Sequence, residues 1–141
     1  MFERCLYFNT NALARRVNRE WEAAYGAFDL SPAHAYLLRL ILAQPGLSQK
    51  QIGEELSLEK STVTRFVDSL EARGYLQRRQ AGDDDARRLR IFPTAKSKRL
   101  QDKLEATGEQ LYHRMQSLLH KDIMTHLVND MRQARLALES A

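Results

Sequence analysis

A chain of 141 residues with 43% hydrophobic and 28% charged side chains has the size and balance of one globular domain with appended helices, able to bury a core without disulfide or metal staples. The single cysteine, Cys5, excludes an internal disulfide and suits a reducing cytoplasm. The net charge of +4 is unevenly spread: twelve Lys or Arg against six acids lie from Lys60 to Lys103, a local +6 on a remainder near −2, which fits a polyanionic partner as readily as a solvated face.

Leu6, Leu13, Val17, Trp21, Ala24 and Phe28 recur at helical spacing and predict a first helix over residues 6–28. Ser31-Pro32 supplies an N-cap and a first-turn proline for a second helix reaching about residue 44. Leu37, Leu38, Leu40, Ile41 and Leu42 make that helix apolar on most sides, so it is expected at the centre, and Pro45-Gly46 ends it. The most apolar run, residues 35–43, is too short to span a membrane and is interrupted by Arg39. The N-terminal MFERCLYFNTN lacks the basic start and apolar stretch of a secretion signal, so a protein retained inside the cell is expected.

Ser48-Gln49-Lys50-Gln51 reads as a capping box opening a short helix over residues 49–56, with Ile52 and Leu56 inward. A further helix begins near residue 59 or 60 with Val63, Phe66, Val67 and Leu70 as its inner stripe, and Gly74 suits its left-handed end. Two short helices so joined form a helix-turn-helix pattern. Residues 75–80 and 89–93 then alternate as short strands around AGDDDARR, a hairpin loop. Thr94 caps a long helical region reaching about residue 120, marked by Leu100, Leu104, Leu111, Met115 and Leu118. Ile123, Leu127, Met131, Ala134 and Leu138 mark a last helix. The fold class expected is mainly α, a winged helix-turn-helix in the order α-α-α-α-β-β-α-α. Residues 1–30 and 94–141 would serve dimerisation and residues 31–93 the winged lobe.

Four stretches together resemble the MarR family of winged helix-turn-helix transcription regulators, over nearly the whole chain from Asn9 to about Met115. They are LSPAHAYLLRLI (residues 30–41), LSQKQIGEELSLEKSTVTRFVDSLEARGYLQRR (residues 47–79), Asp85-Ala86-Arg87, and Pro93-Thr94-Ala95-Lys96-Ser97. The last stands where the family has Leu-Thr-x-x-Gly, with Pro93 and Ser97 as departures at the entry to the long helix. The resemblance implies a homodimeric regulator of transcription, usually a repressor, that binds an inverted-repeat operator in double-stranded DNA.

With Val63, Phe66, Val67 and Leu70 inward, the opposite side of the second helix-turn-helix helix carries Lys60, Ser61, Thr62, Thr64 and Arg65. This polar edge suits the major groove, where Arg65 could donate twice to one guanine. The resemblance places Arg87 in the minor groove with Asp85 orienting it, and Arg88 and Arg90 are available to balance the aspartates of the loop. Gln49, Lys50, Arg73, Arg78 and Arg79 are candidates for phosphate contacts or for solvated surface. The apolar stripes of the first and last helices have little of one winged lobe left to cover, which points to a second copy and to recognition helices about 34–36 Å apart.

Family members often bind a small aromatic or anionic effector at the junction of dimerisation and DNA-binding parts, where Arg16, His34 and Tyr36 fall; ordinary salt bridging and packing are the plainer reading of these residues. Cys5 stands where hydroperoxide-sensing members keep a reactive cysteine, although one tyrosine position of that site is filled by Pro32. A small buried hydrophobic side chain is the plainer reading. His34, His113, His120 and His126 have no metal-site spacing, and no cofactor is expected. With no nucleophile–base arrangement and six unclustered glycines, an enzyme is not expected. The competing class is a winged-helix module that binds protein instead of DNA.

Overall fold

The computed structural model describes residues 1–80 and 88–141, which fall into two compact units, 1–106 and 107–141. In the first unit, α1 (Leu6–Tyr25) is capped by Cys5, whose Sγ accepts the Phe8 amide at 3.4 Å. The helix predicted to reach residue 28 stops at Tyr25, and Gly26–Phe28 tighten into a single 3₁₀ turn. Asp29 then takes the left-handed conformation (φ 53°), redirecting the chain so that Leu30 enters the core at 4% exposure.

Helix α2 (Pro32–Ala43) starts on Ser31, whose hydroxyl accepts the His34 amide at 3.2 Å. It is the hub of the unit: Ala35, Leu37, Leu38 and Ile41 are fully buried, and it packs on α1, α3 (Gln49–Leu56), α4 (Lys60–Ala72) and the sheet. The capping box of α3 forms as the spacing predicts, with Ser48 accepting from the Gln51 amide at 3.2 Å and Gln51 Oε1 accepting from the Ser48 amide at 2.9 Å. The turn into α4 is made by Ser57 in the left-handed conformation (φ 54°) and by the Leu58 amide donating back to the Gly53 carbonyl at 2.9 Å.

Val63, Val67 and Leu70 are fully buried on one side of α4, while Phe66, half-buried, stacks on His34 with ring centres 4.4 Å apart. The helix ends in a Schellman arrangement. The Tyr75 amide donates to Leu70 O and the Gly74 amide to Glu71 O, both at 2.9 Å, with Gly74 at φ 78°.

Strands β1 (Leu76–Gln80) and β2 (Leu89–Pro93) pair antiparallel, with Leu76 opposite Pro93 and Arg79 opposite Arg90. Leu47, just before α3, adds a bridge to Ile91 that the sequence pattern did not predict, with the Ile91 amide donating to Leu47 O at 2.9 Å. Thr94 caps as expected, but the region after it is divided. Helix α5 (Ala95–Lys98) is separated from α6 (Gln101–Leu119) because the Leu100 amide bonds Ser97 O, three residues back, tightening one step. Ser97, the departure from the family glycine, is fully buried and satisfied: its hydroxyl accepts the Thr94 amide and donates to Thr94 O, both at 3.0 Å.

In the second unit, Leu111 and Met115 of α6 are buried. His120 (φ 61°) separates them from α7 (Lys121–Glu139), which buries no residue. No helix among the described residues is long and apolar enough to cross a membrane.

The helix-turn-helix depends on a close approach: a Cβ added to Gly53 would sit 2.9 Å from the Leu58 carbonyl oxygen. Gly53→Ala must push α3 and the turn apart, and a loss of about 1–3 kcal/mol in denaturant unfolding is expected from such overpacking. Unchanged stability would show that the turn relaxes freely.

Candidate nucleic-acid interface

One-sided burial of α4 leaves its opposite edge to solvent. Lys60, Ser61 and Arg65 are exposed, and Thr62 and Thr64 are half-buried. The Arg65 guanidinium lies 6.0 Å from the Phe66 ring centre. The Thr64 hydroxyl is engaged within the motif, donating to Lys60 O at 3.0 Å and accepting from Gln49 Nε2 at 2.9 Å. Beside this edge lies a shallow, open depression of about 380 Å³ lined by Gln49, Lys50, Gly53, Glu54, Leu58 and Lys60.

The basic residues predicted as phosphate contacts divide into two groups. Lys50 is exposed. Arg78 is held inside the fold. Its guanidinium donates to Glu71 Oε1 at 2.8 Å and to Asp68 Oδ1, its backbone amide donates to Glu71 Oε2 at 3.0 Å, and its side chain is 17% exposed. This clasp ties β1 to α4. Arg73 lies 5.3 Å over the Tyr75 ring and 3.5 Å from Asp29, and Arg79 lies 4.0 Å over the Phe92 ring. Arg90, opposite Arg79, is drawn aside by a 3.2 Å bond to Gly46 O, so the two like charges have separate partners. Arg88 is exposed. Asp85 and Arg87 lie outside the described residues.

Lys96 was missed by sequence reasoning. Its ammonium donates to Arg73 O at 2.7 Å and sits 4.4 Å over the Tyr75 ring, compensating the carbonyl end of α4.

The residues considered for an effector have different partners. Arg16 pairs with Glu20 one turn on at 2.9 Å. His34 bonds the Ser31 hydroxyl and stacks on Phe66. The Tyr36 hydroxyl accepts from Trp21 Nε1 at 3.0 Å. The cluster that does form centres on Arg39, which donates to both Glu105 oxygens (3.0 and 2.9 Å) and to the Tyr25 hydroxyl (3.0 Å) and lies 5.0 Å over the Tyr36 ring. It binds α1, α2 and the start of α6. Bonding to Arg39 holds the Glu105 carboxyl below its ordinary range, and burial raises the Tyr25 phenol. A lone cation in an otherwise apolar helix was the available sign. Cys5, half-buried, caps α1. Among the described residues no group of His, Cys, Asp or Glu could hold a metal ion.

Burial, and secondarily the Arg73 charge, lowers the His34 pKa from 6.5. The folded state therefore binds this proton less readily than the unfolded chain, and stability falls as pH drops from about 6.5 toward the lower folded value. Melting temperature across pH 7.5 to 5 should fall less in His34→Gln than in the unaltered protein; equal pH dependence would contradict the assignment.

The sequence profile of the MarR family matches residues 28–88. The transcriptional regulator TtmR of Methylorubrum extorquens (strain PA1) is 30% identical over 100 residues, covering 71% of this chain and 51% of TtmR; the chain thus spans about half the length of that relative. Two solved structures share the fold. The transcriptional repressor CouR, bound to a 23-mer DNA duplex, superposes with a TM-score of 0.84 at 21% identity, over 95% of this chain and 94% of that one. MepR of S. aureus, in complex with DNA, gives a TM-score of 0.84 at 18% identity over 96% and 99%. Residues 28–88 carry the MarR-family sequence, and the fold around them is the winged helix-turn-helix of the two solved regulators.

Proposed function

We propose that the protein is a homodimeric DNA-binding repressor of transcription that seats the Lys60–Arg65 edge of α4 in the major groove and Arg87 in the adjacent minor groove. The carrying observation is the exposed edge of Lys60, Ser61 and Arg65 opposite the fully buried Val63, Val67 and Leu70. That edge is the N-terminal half of the helix a helix-turn-helix inserts, and folds of this kind are known on DNA in CouR and MepR. Arg65 would read guanine and Lys50 and Lys60 would meet phosphates. Arg78 drops out of the contact set because Asp68 and Glu71 neutralise it.

Dimerisation is supported by apolar surface on α7, where Ile123, Val128, Met131, Leu136 and Leu138 are 47–68% exposed, and separately by Phe2, Leu6, Tyr7 and Phe8 at 45–78% exposure. Apolar area of this kind marks an interface. Release by a small aromatic or anionic effector held near Arg16, His34 and Tyr36 belongs to the same proposal.

Fluorescence anisotropy on a duplex selected from random sequence, titrated with salt, tests this reading. Arg65→Ala should weaken the selected duplex by about 1–3 kcal/mol and flatten preference at one base pair in each half-site. Arg87→Ala should weaken binding and reduce the log–log salt slope by about 1. A protein that is monomeric by light scattering, or that binds no duplex at low ionic strength, would overturn the proposal.

A further inference from the structure

The bond between Gln49 and Thr64 has a consequence for which duplexes are chosen. Gln49 is the first residue of α3 and Thr64 the fifth of α4. Their bond, Gln49 Nε2 to Thr64 Oγ1 at 2.9 Å, continues into Thr64 Oγ1 to Lys60 O at 3.0 Å. The relay therefore joins the first residue of one helix to the first residue of the next through a side chain adjacent to Arg65. On the far side of α4, Val63 and Val67 hold the helix by burial alone, which has no direction. The hydrogen-bonded relay is directional, and Gln49 lines the same depression as Lys50 and Lys60.

We propose that Gln49 is a positioning residue: acting through Thr64, it fixes the roll of α4 against α3 and thereby sets base preference, instead of holding a phosphate of its own. The inference rests on the DNA-binding reading above. Thr64→Val keeps the shape and methyl group and removes only the hydroxyl, so a double-mutant cycle isolates the relay.

Anisotropy is read for the unaltered protein, Gln49→Ala, Thr64→Val and the double variant on the selected duplex and on a scrambled one, with melting curves for each. Each single substitution should lower the ratio of selected to scrambled affinity by roughly threefold to tenfold, as expected for one hydrogen bond, and the double variant should lose no more than either. Thr64→Ser, which retains the hydroxyl, should restore the ratio. Gln49→Met supplies the same comparison if alanine disturbs the first turn of α3. Losses that add in the double variant, or a Gln49→Ala loss equal on both duplexes, would mean an independent backbone contact and overturn the inference. A Gln49→Ala protein that discriminates as well as the original overturns it too, leaving the DNA-binding reading intact. An unaltered protein that binds neither duplex removes both.

Discussion

Val63, Val67 and Leu70 have no solvent exposure, and this one-sided burial of α4 against α2 determines where every polar group on the helix can go. Placing three apolar side chains inward at helical spacing forces Lys60, Ser61 and Arg65 outward together. Full burial of each such side chain favours the packed state by about 1.5–3 kcal/mol, far more than a surface ion pair at about 0–1 kcal/mol. The outward cations are therefore a consequence of the core and need no pairing of their own to be held in place. The close contact of Gly53 with the Leu58 carbonyl and the Gln49–Thr64 relay refine the same arrangement.

A second level of organisation spends charge on structure. Arg78 is neutralised by Asp68 and Glu71, Arg90 is turned onto Gly46 O, and Lys96 closes the end of α4 on Arg73 O. The Arg78 and Lys96 contacts link β1 and α5 to α4, and the Arg90 contact links β2 to the loop between α2 and α3. Of the local +6, part is thus internal scaffolding. The surface proposed to face a polyanion is carried by fewer residues than the count of Lys and Arg implies.

Capping and periodicity made the helices readable. Ser31-Pro32, the Ser48/Gln51 box, the Val63–Leu70 stripe and Gly74 all mark local events, and each formed where its spacing placed it. What escaped depends on distant partners. Arg78 reads as a surface cation until strand pairing turns it toward acids seven and ten residues earlier. The Leu47–Ile91 bridge joins segments 44 residues apart with no local signature. The division of α5 from α6 turns on a single hydrogen bond to Ser97 O within a continuous apolar pattern. The Arg39 cluster draws on three helices, and only the oddity of a cation among leucines hinted at it. Within the candidate interface, the polar identity of the edge was legible, whereas the commitment of Thr64 to Gln49 was not.

In the proposed complex a dimer lays two copies of the α4 edge in successive major grooves of one duplex. Methylation interference reads this directly, because N7 of guanine lies in the major groove. On a selected operator, methylation should block binding at guanines in two clusters about ten base pairs apart, one helical turn, and Arg65→Ala should lose that sensitivity in both clusters at once. Binding that tolerates N7 methylation throughout, or that is blocked in a single cluster only, would rule out paired major-groove docking.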